Sequence, residues 1–134
     1  MGQFPDEETA MCLLGQAHRE LGNRDDAVEC FSRAVGMKPN YVGARTELAR
    51  LYEQEGNLDR AERILREAVK ANPRYLGASI DLAALLARAE RWDEAETILL
   101  DTWNRMQPWE QGRARMQPAV AALLERDNVK AALA

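Results

Sequence analysis

The sequence predicts an all-α protein made of repeated helical hairpins, and three observations support that prediction. The 134 residues include only five prolines and eight glycines, so long helices can form. Hydrophobic residues recur at the three- and four-residue spacing of amphipathic helices. The chain also repeats itself with a period of 34 residues. We therefore expect one domain, a stack of hairpins over residues 1–134.

The repeat appears when residues 21–41 are aligned with residues 55–75. The residues that recur 34 positions later in the second segment include Gly22 and Gly56, Asn23 and Asn57, Ala27 and Ala61, Ala34 and Ala68, Val35 and Val69, Pro39 and Pro73, and Tyr41 and Tyr75. A third copy at 89–109 keeps Ala95 and Leu99 in register. Agreement at this many positions indicates an internal repeat.

Each copy contains two amphipathic stretches, which predicts a hairpin of two helices. The stretches are separated near Gly22, Gly56 and Glu90, and the hairpins end at Pro39, Pro73 and Pro108. Proline ends a hairpin because it cannot continue a helix. A small residue lets the two helices approach, and a large apolar residue one turn later fills the gap. These residues are Ala27 and Phe31, Ala61 and Leu65, and Ala95 and Leu99.

This pattern resembles the tetratricopeptide repeat family over residues 8–109, with repeats at 8–41, 42–75 and 76–109. The family's signature positions hold Leu14, Gly15, His18, Ala27, Phe31, Ala34 and Pro39 in the first repeat, Leu48, Ala49, Tyr52, Ala61, Leu65, Ala68 and Pro73 in the second, and Leu82, Ala83, Leu86, Ala95 and Leu99 in the third. The third repeat departs from the pattern at Thr102 and Pro108. The resemblance implies a right-handed α–α superhelix, a solenoid of helix-turn-helix hairpins with a concave groove.

Residues 110–134 are less regular and predict a partial fourth repeat or a capping helix. Asn128 and Ala132 lie 71 positions after Asn57 and Ala61, which is two periods plus three residues. This spacing indicates a fourth hairpin that carries a three-residue insertion and is cut off in its second helix. Pro118 is either the first residue of a new helix or a break within one.

Composition argues against several classes of function. The net charge is −4 and basic residues alternate with acids, which argues against a nucleic-acid partner or an anionic membrane. No apolar run reaches the length of a membrane span. The sequence contains no zinc-ligand spacing, phosphate-binding loop or nucleophile motif. We therefore expect no enzyme activity, no metal and no cofactor, and the two cysteines favour a reducing, cytoplasmic location.

Cys12 and His18 come nearest to a thiol active site. Six helical residues separate them, which places the side chains roughly 120° apart around the axis. The imidazole therefore cannot activate the thiol within this helix. We expect His18 to pack in the core or at its boundary, Cys12 to lie on the opposite face, and Cys30 to be structural.

In the tetratricopeptide family the first helices of the hairpins line the groove, which usually binds a peptide or another protein. The groove positions here are Thr9, Cys12, Gln16, Arg19, Gly43, Thr46, Glu47, Arg50, Gly77, Ile80, Asp81 and Ala84. We expect a partner's apolar side chain to dock near Ile80 and Ala84, and a carboxylate or carbonyl to meet Arg50. Gly43 and Gly77 either permit close backbone approach or relax the preceding turn.

One ligand class is disfavoured by the same positions. Relatives that hold an acidic C-terminal tail use a clamp of lysine, arginine and asparagine, whereas this chain has Cys12, Gln16, Glu47, Gly77 and Asp81 there. The sequence therefore predicts an adaptor or scaffold for a different peptide or protein. The alternative is a structural spacer that self-associates through its C-terminal end, around Trp103, Trp109 and Leu133, and has no groove ligand.

Overall fold

A computed structural model of the chain describes residues 7–37 and 42–134. Within those ranges the chain forms nine α-helices and no strand, which confirms the all-α prediction. The helices are α1 (Glu7–Glu20), α2 (Arg24–Met37), α3 (Val42–Gln54), α4 (Leu58–Ala71), α5 (Leu76–Arg88), α6 (Trp92–Trp103), α7 (Pro108–Arg115), α8 (Pro118–Leu124) and α9 (Asp127–Leu133). The first six form three pairs that follow the predicted repeats.

The chain divides into two compact units, residues 1–72 and residues 73–134. The first unit holds α1 to α4 and the second holds α5 to α9. The prediction of a single domain with repeat boundaries at 41, 75 and 109 stays a prediction.

The three hairpin turns share one hydrogen-bond motif. Each has a residue in the left-handed region just after its first helix: Gly22 at φ 83°, Gly56 at φ 87° and Glu90 at φ 63°. The amide of the next residue then donates to a carbonyl five residues back, from Asn23 to His18 at 2.8 Å, Asn57 to Tyr52 at 2.9 Å and Arg91 to Leu86 at 2.8 Å. This motif satisfies carbonyls that the helix end leaves free, so equivalent residues end all three first helices.

The core of the first unit includes the contact between α2 and α3. Its buried residues are Cys12, Ala27, Phe31, Ala34, Ala44, Leu48 and Leu51. Phe31 is fully buried, and a β-carbon at Gly15 would come within 2.9 Å of its ring. The aromatic ring therefore occupies the space that a side chain at Gly15 would need. The second repeat has the larger Ala49 and the smaller Leu65 at these two positions.

In the second unit α5 is buried around most of its circumference, because both α6 and α8 pack against it. Its buried residues are Leu76, Ala78, Ile80, Leu82, Ala83, Ala84, Leu85, Leu86 and Ala87. Gln117, just before α8, donates to Asp81 of α5 at 3.5 Å. Arg126, just before α9, pairs with Glu96 of α6 and lies 4.5 Å above the Trp92 ring. These polar contacts fix the C-terminal helices on the third hairpin.

The sequence RMQP, at 105–108 and 115–118, begins a helix on both occasions. Gln107 and Gln117 are the N-cap residues, and Pro108 and Pro118 are the first helical residues. Proline suits that position because its missing amide proton has no partner there. Of the two possibilities for Pro118, the structure has the start of a new helix. Pro108 likewise begins α7, while the third hairpin already ends at Trp103.

Candidate functional site

The candidate site is a polar surface formed by α1 and α3, the first helices of the first two hairpins. The Glu47 side chain joins them, because one carboxylate oxygen contacts the Arg19 guanidinium of α1. Its other oxygen accepts a hydrogen bond from Arg50, one turn later on α3, at 3.0 Å. A single carboxylate thus fixes two guanidinium groups on neighbouring helices.

Arg50 is the most accessible member of this network, with 53% of its side chain exposed. Glu47 and Arg19 are largely covered. A guanidinium carries five N–H donors in a rigid plane, and the bond to Glu47 uses one of them. The arrangement therefore presents donors to solvent in a fixed orientation.

Four further predicted residues flank the network and remain partly or fully exposed: Thr9, Gln16, Gly43 and Thr46. The Thr46 hydroxyl donates to the Gly43 carbonyl at 2.9 Å, so it lies against its own helix. Together with Arg19, Glu47 and Arg50 these residues define the α1–α3 surface. It is polar, with no side chain at Gly43 and a small one at Thr46.

Cys12, which the sequence places on this surface, lies instead in the core of the first unit. Cys12 and Gly15 are three residues apart and share a helix face. Because Gly15 meets the Phe31 ring, that face turns inward and takes Cys12 with it. Leu14, which holds a signature position of the first repeat, is correspondingly turned away from this core and is 45% exposed.

The thiols and the imidazole do not have the properties of a nucleophile and its base. His18 lies at the hairpin turn, with its Nδ1 atom 3.4 Å from the Asn23 amide nitrogen and 4.0 Å from an Asp26 oxygen. His18 is partly buried, which agrees with the prediction that it lies at the boundary of the core. Burial, reinforced by the neighbouring Glu29 carboxylate, raises the pKa of the Cys30 thiol. A raised pKa keeps the sulfur protonated at neutral pH, whereas a reactive cysteine needs its thiolate.

The remaining predicted residues belong to the second unit, and little of their surface is available. Ile80 is 2% exposed and Ala84 is fully buried. The docking of a partner's apolar side chain on these two residues therefore does not agree with the structure. Asp81 is engaged by Gln117. A β-carbon at Gly77 would meet the Tyr75 ring at 2.9 Å, so this glycine accommodates the residue that precedes the helix.

Sequence reasoning missed α8 as the partner of α5, although the sequence contained a signal for it. The segment LGASIDLAALLA is apolar on nearly every side, and a helix with that composition is normally buried all round. A groove-lining helix needs one face for solvent. The apolar composition of α5 thus predicts its burial better than its position in the repeat does.

Three other features of the described residues bear on function. They contain no group of three or more histidine, cysteine, aspartate or glutamate side chains that could hold a metal ion. A depression on α4 is lined only by charged side chains of that one helix, Asp59, Glu62, Arg63, Arg66, Glu67 and Lys70. Charges of alternating sign on an exposed helix face give it solubility rather than a binding site. Among the helices the structure describes, none has the length and apolar character to cross a membrane.

Three solved structures illustrate what the chain resembles. The first TPR of Spaghetti (RPAP3), bound to the HSP90 peptide SRMEEVD, matches with a TM-score of 0.67 and 19% identity over 98% of each chain. A structure of MamA matches with a TM-score of 0.68 and 19% identity, and covers 81% of this chain and 61% of that one. A second MamA structure, from AMB-1, has 25% identity, a TM-score of 0.65 and coverage of 94% and 67%.

Comparison of the sequence with family models identifies the family to which the chain belongs. Two models described as tetratricopeptide repeat match the chain, one over residues 12–73 and the other over residues 54–126. No curated protein sequence matches it significantly. The second family match alone spans more than half of the 134 residues. The chain therefore belongs to the tetratricopeptide repeat family, and its fold is the all-α fold of tetratricopeptide solenoids.

Proposed function

We propose that this chain is a protein-interaction module and that its α1–α3 surface binds a peptide or an exposed segment of a partner protein. The observation that carries the proposal is the network of Arg19, Glu47 and Arg50, which holds an accessible guanidinium between two first helices. Arg50 would donate to a carboxylate or backbone carbonyl of the partner. The peptide complex of the similar Spaghetti domain supports a peptide ligand for this fold.

The module acts as an adaptor or scaffold rather than an enzyme in this proposal. Its thiols are buried and the pKa of Cys30 is raised, so neither cysteine is set up for catalysis. Free thiols also suit a reducing compartment, and we place the chain in the cytoplasm. The proposed contact surface does not include Ile80 and Ala84, because both residues are buried.

The acidic peptide SRMEEVD should not bind. On the first unit a C-terminal carboxylate would find Glu47 in place of a neutral or cationic clamp residue, and the Cys12 side chain is buried there. We expect a dissociation constant weaker than about 1 mM in a fluorescence anisotropy titration. Saturable binding below about 0.1 mM that disappears when the C-terminus is amidated would contradict this prediction.

Replacing Arg50 by alanine should weaken a peptide ligand by at least about tenfold, since a hydrogen bond to a charged group contributes about 1.5–3 kcal/mol. The ligand is first obtained by selecting a displayed peptide library on the wild-type chain. Its affinity is then measured by titration calorimetry. Arg50→Lys should give an intermediate loss, because it keeps the charge but not the planar fork.

Arg33→Ala is the matched control for this experiment. Arg33 lies on the second helix of its hairpin, is 62% exposed, and bonds Glu29 of the same helix at 3.0 Å. Both alanine variants thus lose an exposed guanidinium and a local ion pair of small energetic value. If Arg50→Ala and Arg33→Ala bind the selected peptides equally well, the α1–α3 surface is not the site. Helical circular dichroism verifies that each variant is folded.

A further inference from the structure

The helix α1 has an apolar face that lies opposite its core face. Leu13 and Leu14 are half-exposed, Ala17 is exposed, and Leu21, in the turn that follows, is 75% exposed. Residues spaced by three and four positions share one side of a helix. We call these four residues the α1 face. Several adjoining leucines on one exposed surface mark an interaction site more often than isolated ones do.

The next repeat indicates what kind of contact such a face makes. Leu48 and Leu51 of α3 lie 34 positions after Leu14 and Ala17, and both are buried. They belong to the cluster that includes Phe31 and Ala34 of α2, the helix that packs against α3. The same repeat positions are therefore a helix-packing surface within this unit. The α1 face has apolar residues at the same repeat positions as α3, but in α1 these residues remain exposed.

A second apolar surface lies on α7, where Trp109 is 66% exposed and Met116, just after the helix, is 82% exposed. Met116 follows Trp109 by seven positions, about two helical turns, so the two side chains lie on one side of the helix. The exposed Arg113 lies between them, four positions after Trp109. We call Trp109, Arg113 and Met116 the α7 face. Tryptophan and arginine are the residues that most often contribute strongly to protein interfaces.

The segments that carry the two faces have opposite charge. Residues 7–21 contain three acidic residues and one arginine, a net charge of −2, and Glu7 and Glu20 are exposed at the two ends of α1. Residues 104–117 contain three arginines and one glutamate, a net charge of +2. We propose that the α1 face of one copy binds the α7 face of a second copy. Two α1 faces or two α7 faces would bring like charges together, which disfavours a symmetric dimer.

Such a contact is heterologous, because it joins two different surfaces of the same chain. Each copy then keeps one face free for another copy, so association continues into rings or open chains. Charged side chains at exposed positions are screened by salt. The average mass of the wild-type protein should therefore rise with concentration, and fall when salt is added at a fixed concentration. This inference does not rest on peptide binding by the α1–α3 surface.

Two single variants and their mixture test the proposal. Leu14→Asp inactivates the α1 face and Trp109→Asp inactivates the α7 face, and both residues are exposed, so the fold is retained. By sedimentation equilibrium each variant alone should stay at the 15.1 kDa of one chain. An equimolar mixture should form a dimer of twice that mass, because one intact α1 face meets one intact α7 face. Leu58→Asp, at an exposed leucine outside both faces, should associate as the wild type does.

Charge exchange gives an independent test of the pairing. Arg113→Glu should weaken wild-type association, and mixing it with Glu20→Arg should restore it at least in part. A wild-type chain that stays monomeric at all concentrations would overturn the proposal. So would a mixture of Leu14→Asp and Trp109→Asp that remains monomeric. Self-association of either variant alone at wild-type strength would also overturn it, since it would require a symmetric contact.

Discussion

Replacing Ile80 by aspartate should destabilise the second unit by about 3–5 kcal/mol, because it places an unpaired carboxylate in an apolar environment. Ile80 is 2% exposed, and its helical neighbours Leu76 and Ala84 are buried and apolar. Folded domains are typically stable by about 5–15 kcal/mol, so this change removes a large part of that margin. If Ile80 lined a groove, as the sequence predicts, the same substitution would change ligand binding and leave stability nearly unchanged.

The chain offers a direct measurement of this effect. All three tryptophans, Trp92, Trp103 and Trp109, lie in the second unit, so intrinsic fluorescence during urea denaturation follows that unit selectively. Thr46→Asp is the control, since Thr46 holds the same repeat position in α3 and is partly exposed. Because Thr46 lies in the first unit, which has no tryptophan, both variants are also followed by far-ultraviolet circular dichroism. We expect the control to change stability by less than about 0.5 kcal/mol. An Ile80→Asp chain as stable as the control would mean that α5 is accessible after all.

The repeat period predicted the elements of this fold well because it reports local structure. Equivalent residues end the first helices with the same hydrogen bonds, at Gly22, Gly56 and Glu90. A two-helix unit of this kind requires only its own pattern and a neighbour to pack against. Six helices could therefore be assigned from periodicity.

The C-terminal helices could not be placed in the same way. Pro118 begins a new helix, so a fourth repeat's single first helix is replaced by two short helices, α7 with eight residues and α8 with seven, and α9 follows them. Where α8 then packs depends on tertiary contacts, such as Gln117 with Asp81, that have no equivalent in the earlier repeats. Ile80 and Ala84, which the sequence predicts to receive a partner's side chain, are buried for this reason.

The inward position of Cys12 has a more local cause. Helical periodicity gives the angle between residues reliably, but the side of the helix that faces the core depends on which contact is tightest. In α1 that contact is Gly15 against Phe31. The sequence contained both residues, and the size match between them was the signal that would have placed Cys12 in the core.

Phe31→Ala should cost about 3–5 kcal/mol of unfolding free energy, because it removes a fully buried aromatic ring and leaves a cavity beside Gly15. The first unit contains no tryptophan, so its unfolding is followed by far-ultraviolet circular dichroism in urea. Ser32→Ala, at the exposed neighbouring position, is the control and should change little. A loss below about 1 kcal/mol would show that Phe31 does not fill the space between the helices.

The pairing of Gly15 with Phe31 can be separated from burial alone by a double-mutant cycle. Gly15→Ala should destabilise by about 1–3 kcal/mol through overpacking, although alanine is the better helix former by about 1 kcal/mol. In a Phe31→Leu background the same change should become neutral or stabilising, because the pair then matches Ala49 and Leu65 of the second repeat. A sign change of this kind can arise only if the aromatic ring occupies the space of the missing β-carbon. Equal effects in both backgrounds would assign Gly15 to the helix backbone instead of to the contact with Phe31.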